Sequence, residues 1–416
     1  MISKKDAIYL ESLIKKYEKI DKSDQNIYPL LEKGFTSRDI LKGMEVLLSK
    51  KITMSNITRK FEDEFGKFIG SKYALMVNSG SSANLLAAFA LINPLKKNRL
   101  KKGDEFIIPS LCWSTSLWPM IQAGLKPNFI DVDLKSFCMD ENLLSQKKYR
   151  KCKAIMNIHV LGNCSNIEKI TNFAKKNKIY LIEDTCEALG SKFASKYLGT
   201  YGDFGTYSFY YSHQVTSGEG GMIICQNKED YNLLYSLRAH GWDRGLYNNK
   251  KKNNFNFINS GFNLRPLDLT AAIGLSQFRR LKKMMIERKK NRDLIIQSLK
   301  KSNRWKNQFT FFEPTKNLKP SWFGFPILIN KNYLNDKNNF LKKLNSKDIE
   351  TRPIISGNFL NQPSAKLYNL NNKNYIFNNS QEIEKRGFFI GLPTNKISNS
   401  QLNSLKENLL NIKRNI

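Results

Sequence analysis

Short apolar segments alternate with helical segments along the first half of this 416-residue chain. Apolar runs of about four to eight residues are typical of buried strands, and the segments between them carry the apolar spacing of helices. Neighbouring parallel strands need a long crossover connection, which such helices provide. The sequence therefore predicts an α/β fold with a mostly parallel sheet covered on both faces. The predicted strands are 74–77, 104–110, 126–133, 152–162, 179–185, 205–212 and 220–226.

The length of the chain favours one large domain and one smaller domain. We predict an N-terminal helical segment over residues 1–50, a large domain over 51–295 and a small C-terminal α/β domain over 296–416. Apolar residues at helical spacing also predict a single long helix over residues 266–300, with Pro266 in its first turn.

Charge and hydropathy narrow the class of protein. The formal net charge is +32, but the basic residues are spread along the chain and form no nucleic-acid-binding motif, so we expect no nucleic-acid partner. The charge does suit anionic small molecules. No apolar run of 18 residues occurs, and the N-terminus lacks the apolar core of a signal peptide. We therefore expect a cytoplasmic protein that does not enter a membrane.

The six cysteines argue against a metal centre. None of them forms a C-x-x-C pair, which zinc and iron–sulfur sites normally contain. We predict reduced, buried thiols and no metal site.

Two short motifs at predicted strand ends indicate an anionic ligand. In "NSGSSAN", residues 78–84, Gly80 precedes an apolar helix whose first N–H groups form a seat for phosphate, although such turns also occur without a ligand. In "YLIEDTCEALGS", Asp184 and Glu187 follow an apolar strand, where open parallel sheets bind ligands. The alternative is that Asp184 caps a helix. A buried carboxylate there can also keep a pyridinium nitrogen protonated.

A third motif, "TYSFYYSHQVTSGEGG" at residues 206–221, carries a resemblance. With the first two motifs it resembles the sugar-nucleotide aminotransferases typified by DegT, DnrJ and EryC. Their pattern is S-F-x-x-x-K-x-x-x-x-G-E-G-G, in which the lysine binds pyridoxal 5'-phosphate covalently. Here His213 occupies the position of the lysine, and no lysine occurs between Lys196 and Lys228. Imidazole has no primary amine, but it can transfer protons near neutral pH.

The resemblance extends over about residues 35 to 395 and implies a fold and an activity. The fold is that of fold-type I pyridoxal-phosphate transferases, with a large domain around a mixed seven-stranded sheet and a smaller C-terminal domain. The members with histidine at this position are 3-dehydratases of nucleotide-linked 4-keto-6-deoxyhexoses, in dideoxysugar and surface polysaccharide biosynthesis. One subtype holds an iron–sulfur cluster on four cysteines beyond the histidine, but here only Cys225 follows His213. The chain resembles the colitose-pathway subtype, which uses L-glutamate to form pyridoxamine 5'-phosphate.

The resemblance also assigns roles to individual residues. His213 is the catalytic base, and Asp184 pairs with the pyridine nitrogen. Tyr211-Ser212 and Gln214 depart from the pattern around that base. The remaining cofactor contacts are Gly80, Ser81 and Ser208 at the phosphate, Trp113 on the ring and Glu187 beside it. For Trp113 the alternative is a place in the core.

The resemblance implies further contacts that involve the substrate or a second subunit. Asn263 reaches the phosphate of the neighbouring subunit's cofactor, which implies a homodimer with shared active sites. His240 lines the substrate entrance across the interface, or else lies on the surface. Arg352 binds the glutamate carboxylate or the nucleotide, or else forms a structural ion pair. His159 is as readily a structural histidine at a strand end as a functional one, and we leave it out of catalysis.

Two other functions remain open on these residues. One is an aminotransferase-like enzyme of the same fold, which the missing lysine disfavours. The other is a regulatory protein that binds the cofactor without catalysis, which the retained Asp184, Glu187, Ser208 and glycine turn disfavour.

Overall fold

Thirteen α-helices and fourteen strands are present in the residues that the computed structural model describes, which are 3–20, 28–31, 34–53, 55–244, 255–333, 337–370 and 376–414. The helices are α1 Lys4–Ile20, α2 Ser37–Ser49, α3 Asn56–Ile69, α4 Gly80–Ile92, α5 Ser114–Gln122, α6 Ile167–Asn177, α7 Lys228–Arg238, α8 Asp268–Phe278, α9 Leu281–Lys300, α10 Lys337–Asn345, α11 Pro363–Leu367, α12 Asn378–Arg386 and α13 Asn399–Leu409. The strands are β1 Tyr73–Val77, β2 Glu105–Pro109, β3 Lys126–Ile130, β4 Ala154–Ile158, β5 Tyr180–Asp184, β6 Lys192–Phe193, β7 Lys196–Tyr197, β8 Phe204–Ser208, β9 Gly221–Cys225, β10 Phe309–Phe311, β11 Leu318–Lys319, β12 Phe325–Ile329, β13 Thr351–Arg352 and β14 Gly387–Ile390.

The main sheet has seven strands in the order β1-β9-β8-β5-β4-β2-β3. Only β9 runs antiparallel to its neighbours, so the predicted mixed, mostly parallel sheet is confirmed. Strands β4, β8 and β9 are buried along their whole length. Helices cover both faces of such a sheet, so even the polar side chains of these strands are buried.

The C-terminal part contains a second, antiparallel sheet in the order β10-β12-β14-β13. Its strands and helices form the smaller α/β unit that the sequence predicts. The main apolar cluster is continuous between the two parts, since it contains Phe106 of β2 and Phe325 of β12. Residue 295 lies inside α9, and the division of the chain at that position stays a prediction. In the part of the chain described here, no helix is both long and apolar enough to cross a bilayer.

The prediction of one helix over residues 266–300 is wrong, because the segment forms two helices that break at Arg279 and Arg280. Both arginines at the break are tied to other helices. Arg279 pairs with Glu64 of α3 at 2.6 Å, and Arg280 pairs with the buried Asp39 of α2 at 2.6 Å. The apolar spacing continues through the break, so the sequence pattern does not reveal it.

Strand β1, which leads into the candidate phosphate seat, is anchored by a buried ion pair. Arg238 of α7 donates through Nη1 to Glu62 Oε1 (2.9 Å) and to the carbonyl of Met76 (2.7 Å). Glu62 also accepts the backbone N–H of Met76 at 2.8 Å. A buried pair of this kind holds its elements in register, and removal of one partner leaves the other charge uncompensated.

We expect Arg238→Met to lower the free energy of unfolding by about 3 kcal/mol, because Glu62 remains buried without its cation. Urea denaturation measures the effect. The matched control is Arg279→Met, which removes the exposed pair with Glu64 and should cost less than about 1 kcal/mol. Equal losses in the two variants would contradict this account of the anchor.

Candidate active site

A cavity of about 420 Å³ lies where β4, β5 and β8 end and α4 begins. Ligands bind at this edge in open parallel sheets, because the carboxyl ends of neighbouring strands meet there. The cavity brings together eight of the predicted site residues: Gly80, Ser81, Trp113, Asp184, Glu187, Ser208, His213 and Arg352.

Asp184 ends β5 and is oriented by three hydrogen bonds. Its Oδ2 accepts from Asn84 Nδ2 (2.8 Å) and from the Ser116 hydroxyl (2.7 Å), and its Oδ1 accepts the backbone N–H of Cys186 (3.2 Å). Asn84 is itself fixed, because its carbonyl oxygen accepts from the Thr206 hydroxyl at 2.6 Å. Residues 185–190 form turns, so the alternative that Asp184 caps a helix is wrong. A carboxylate held in this way can bind a protonated ring nitrogen.

The first turn of α4 forms an anion seat. Ser79 caps the helix by accepting the backbone N–H of Ser82 at 3.1 Å, and the helix starts at Gly80. A Cβ atom at Gly80 would lie 2.6 Å from the Cβ of Ser208, so only glycine lets α4 approach the end of β8 this closely. The hydroxyls of Ser81 and Ser208 line the cavity beside the positive end of the helix.

Trp113 presents its ring at the cavity. It directly precedes α5, and its side chain is 55% exposed although its neighbours Leu111 and Cys112 are fully buried. The alternative that Trp113 belongs to the core is therefore wrong. An exposed indole in the wall of a ligand cavity provides a flat apolar surface for an aromatic ring.

His213 lies in a turn, because β8 ends at Ser208 and the predicted strand over 205–212 is too long. Its backbone N–H donates to the carbonyl of Tyr210 at 3.0 Å, and its ring meets Phe323 edge-on at 5.0 Å. Its buried Nδ1 has no hydrogen-bond partner among the described residues. Burial and the nearby charge of Arg288 lower the pKa of His213 to about 3. The imidazole is therefore neutral and can accept a proton at physiological pH.

Gln214 holds the segment that carries His213. Its Nε2 donates to the carbonyl of Glu187 (2.6 Å) and to that of Ser321 (3.2 Å). Gln214, which departs from the family pattern, therefore fixes this segment through two hydrogen bonds to backbone carbonyls. The sequence alone does not reveal this role.

Glu187 contributes a carboxyl group that resists ionisation. Burial, together with the charge of Asp184, raises the pKa of Glu187 to about 8, although the backbone N–H of Leu161 donates to its Oε2 at 2.9 Å and opposes the shift. At neutral pH this side chain is a hydrogen-bond donor as well as an acceptor.

Sequence reasoning missed Asn84 and Ser116, which orient Asp184. The only signal was a polar residue in the first turns of two apolar helices.

His159 also lines the cavity, and its Nε2 bonds to Glu183 Oε2 at 2.9 Å with both side chains fully buried. Glu183 further accepts three backbone N–H groups, from residues 199, 201 and 202. This network fixes the His159 ring through Nε2, whereas its buried Nδ1 has no hydrogen-bond partner among the described residues, so its structural role stays a prediction.

Two predicted residues do not line the cavity of their own chain. His240 donates its backbone N–H to the carbonyl of Phe262 (2.7 Å), and Asn263 forms a bridge with Ala239. Their predicted roles lie across a subunit interface and stay predictions. Arg352 does line the cavity, where its exposed guanidinium pairs with Glu350 at 2.7 Å.

The residues of the cavity fit pyridoxal 5'-phosphate. Asp184 suits the ring nitrogen, the first turn of α4 suits the phosphate, and Trp113 suits the ring. This fold and this set of groups define the class of fold-type I pyridoxal-phosphate enzymes. Within that class the chain belongs to the DegT/DnrJ/EryC1/StrS aminotransferase family, whose model matches residues 36–403.

Individual relatives are similar over most of their length. The chain is 36% identical to a GDP-4-keto-6-deoxy-D-mannose 3-dehydratase of Escherichia coli O55:H7, covering 88% of this chain and 95% of the relative. It is 33% identical to a lipopolysaccharide biosynthesis protein of Salmonella typhimurium, covering 88% and 87%. A crystal structure of GDP-4-keto-6-deoxymannose-3-dehydratase with a trapped PLP-glutamate geminal diamine matches with a TM-score of 0.83 at 34% identity, covering 92% and 100%.

The raised pKa of Glu187 predicts a pH dependence of stability in the cofactor-free protein. Folding keeps this carboxyl protonated, whereas in the unfolded chain it ionises near its usual pKa of about 4.3. The unfolded state therefore binds fewer protons between about pH 4.3 and 8, and stability falls as the pH rises through this window.

We expect Glu187→Gln to remove this contribution, which is about 1.4 kcal/mol per pH unit. Urea denaturation of wild type and variant at pH 5, 6, 7 and 8 measures it. Parallel stability curves for the two proteins would show that Glu187 ionises normally in the folded state.

Proposed function

We propose that this protein is a pyridoxal/pyridoxamine 5'-phosphate-dependent 3-dehydratase, a lyase that removes the C3 hydroxyl of a nucleotide-linked 4-keto-6-deoxyhexose. L-Glutamate is the amino donor, and the pathway is dideoxysugar biosynthesis for a surface polysaccharide. The observation that carries the proposal is the imidazole of His213 in a cavity whose lining, within the described residues, contains no lysine. The relatives of this chain support the substrate class and the donor.

The cofactor supplies an electron sink and, in its amine form, the nitrogen taken from glutamate. Asp184 keeps the ring nitrogen protonated, because Asn84 and Ser116 fix its carboxylate. Gly80, Ser81 and Ser208 bind the phosphate, and Trp113 covers the ring. Without a lysine, these contacts alone must retain the cofactor.

His213 moves the protons. With the cofactor and the sugar bound, the neutral ring of His213 would accept a proton and, as imidazolium, would donate it to the departing C3 hydroxyl. The protonated Glu187 stands beside the base as a hydrogen-bond donor.

The overall reaction balances without an external reductant. Glutamate loses two electrons and becomes 2-oxoglutarate and ammonia, and the sugar gains two electrons as its C3 carbinol becomes a methylene. Each half of the reaction balances without net uptake or release of water, because the oxygen lost from C3 of the sugar is matched by the oxygen that the cofactor regains as its aldehyde. An enzyme of this kind needs no iron–sulfur partner.

Further parts of the proposal concern assembly and substrate contacts. Asn263 and His240 act at the cavity of a partner subunit in a homodimer, which agrees with their position outside the cavity of their own chain. Arg352 binds the glutamate carboxylate or the nucleotide after it releases the partly buried Glu350. The protein works in the cytoplasm, without a nucleic-acid or membrane partner.

We expect the wild-type protein, given glutamate and a nucleotide-linked 4-keto-6-deoxyhexose, to form a product that has lost one oxygen atom, with one equivalent of ammonia. His213→Asn should lower the rate at least about 100-fold, because it removes the proton carrier. Mass spectrometry follows the product, and the cofactor absorbance shows that the variant still binds its cofactor. A product that keeps the oxygen and gains nitrogen would establish transamination instead.

We also expect borohydride to leave no pyridoxyl group on the cofactor-loaded wild-type protein, since no amine in the site binds the aldehyde. His213→Lys introduces that amine and should become covalently labelled. Intact-protein mass spectrometry distinguishes the two, and labelling of the wild type would disprove the role of imidazole at this position.

A further inference from the structure

Arg288 of α9 holds a positive charge in the interior that no carboxylate of the described residues neutralises. The residue is 2% exposed, and none of the ion pairs among those residues includes it. Its Nη1 donates to the carbonyl of Trp322 at 3.3 Å, whereas its buried Nε has no hydrogen-bond partner in the described part of the chain. Burial lowers the pKa of Arg288 only to about 10, so the guanidinium remains charged at neutral pH.

The missing carboxylate sets Arg288 apart from the other buried arginines. Four arginines are buried among the described residues, and the other three each form an ion pair: Arg238 with Glu62, Arg292 with Asp293 and Arg386 with Glu382. A carboxylate partner offsets the cost of removing a charge from water, and Arg288 lacks that compensation. Because a paired arginine can tie elements together equally well, the lack of a partner at Arg288 indicates that the charge itself is used.

One short segment joins Arg288 to the proposed base, His213. The carbonyl that Arg288 binds belongs to Trp322, and the next residue, Phe323, meets the His213 ring edge-on at 5.0 Å. The residue before Trp322 accepts the side-chain amide of Gln214 at 3.2 Å, and Gln214 follows His213 in the chain. The guanidinium and the imidazole are therefore both fixed against the same three residues. In a buried site, a charge acts on a nearby imidazole with weak screening.

The wall of the cavity supplies the other ionisable groups around the imidazole. They are Asp184, Cys186, Glu187, Tyr210, Glu219 and Arg352, together with His159. Three of them are carboxyl groups, which when ionised favour an imidazolium ion over a neutral ring. The charge of Arg352 is balanced by Glu350, and its side chain is exposed to water. Burial first, and the charge of Arg288 second, lower the pKa of His213.

We propose that Arg288 is a positioning residue that keeps the imidazole of His213 in its neutral, proton-accepting form. The guanidinium disfavours a second positive charge nearby, and it acts at full strength because no carboxylate of the described residues neutralises it. Its hydrogen bond to the carbonyl of Trp322 fixes its place beside the segment that carries Phe323. This inference rests on the proposed function in one respect, that His213 is the base.

The test measures protonation rather than turnover, and the chain suits it because it has only three histidines. The protein is labelled with carbon-13 at histidine Cε1, loaded with pyridoxal 5'-phosphate and titrated by NMR, and His213→Asn identifies the signal of residue 213. We expect Arg288→Met to raise the midpoint of the His213 titration by about one pH unit, because it removes a nearby positive charge.

The matched control is Arg292→Met. It removes a guanidinium of similar burial from the next turn of α9, but Asp293 balances that charge, so the His213 midpoint should move by less than about 0.3 pH units. Arg288→Lys keeps a positive charge at the acidic pH at which His213 titrates and should leave the midpoint within the same limit. If Arg288→Met does not fold, Arg288→Gln carries the same expectation, since its amide can still donate to the carbonyl of Trp322.

Two results would overturn the role of Arg288. If the variants without its charge unfold at lower urea concentration than the wild type but keep the His213 midpoint, the arginine is structural only. If Arg292→Met shifts the midpoint as much as Arg288→Met, a general loosening of the core explains both effects. A protein whose midpoints move as expected but which leaves the sugar oxygen in place would contradict the proposed function alone.

Discussion

The buried carboxylate of Asp184 is the constraint on which the rest of the site depends. A charge at the end of a central strand is expensive unless polar groups surround it, and here Asn84, Ser116 and the backbone of Cys186 do so. Two of these donors belong to helices that begin at the same sheet edge. One network therefore joins β5 to α4 and α5, and through Thr206 to β8. The groups that stabilise this charge therefore also position the phosphate seat on α4 and Trp113 at the start of α5.

The second constraint is the chemistry of position 213. In the aminotransferase pattern a lysine both holds the cofactor and carries protons, whereas imidazole does only the latter. Retention of a cofactor in this cavity would then depend on non-covalent contacts, for which the cavity offers a helix end, hydroxyls, an indole and a carboxylate. Burial beside Phe323 keeps the imidazole neutral, and the neighbouring Glu187 keeps its own proton. At neutral pH the imidazole of His213 can therefore accept a proton, whereas the carboxyl of Glu187 can donate one.

Much of the fold follows from local pattern. Segments rich in apolar residues predicted all seven strands of the main sheet, because strands in the middle of a covered sheet are mostly apolar. The break between α8 and α9 could not be predicted, since it depends on carboxylates that α2 and α3 bring from far away in sequence. Eight site residues were found because they carry family motifs. Asn84 and Ser116 were missed because their importance comes only from a charge on another strand.

The amide of Gln214 bonds to two carbonyls, those of Glu187 and Ser321, that belong to opposite parts of the molecule. Ser321 directly precedes Trp322 and Phe323, and the latter ring abuts the imidazole. Because one amide is bonded to both parts, the position of the segment that carries His213 depends on how the C-terminal part packs against the main sheet.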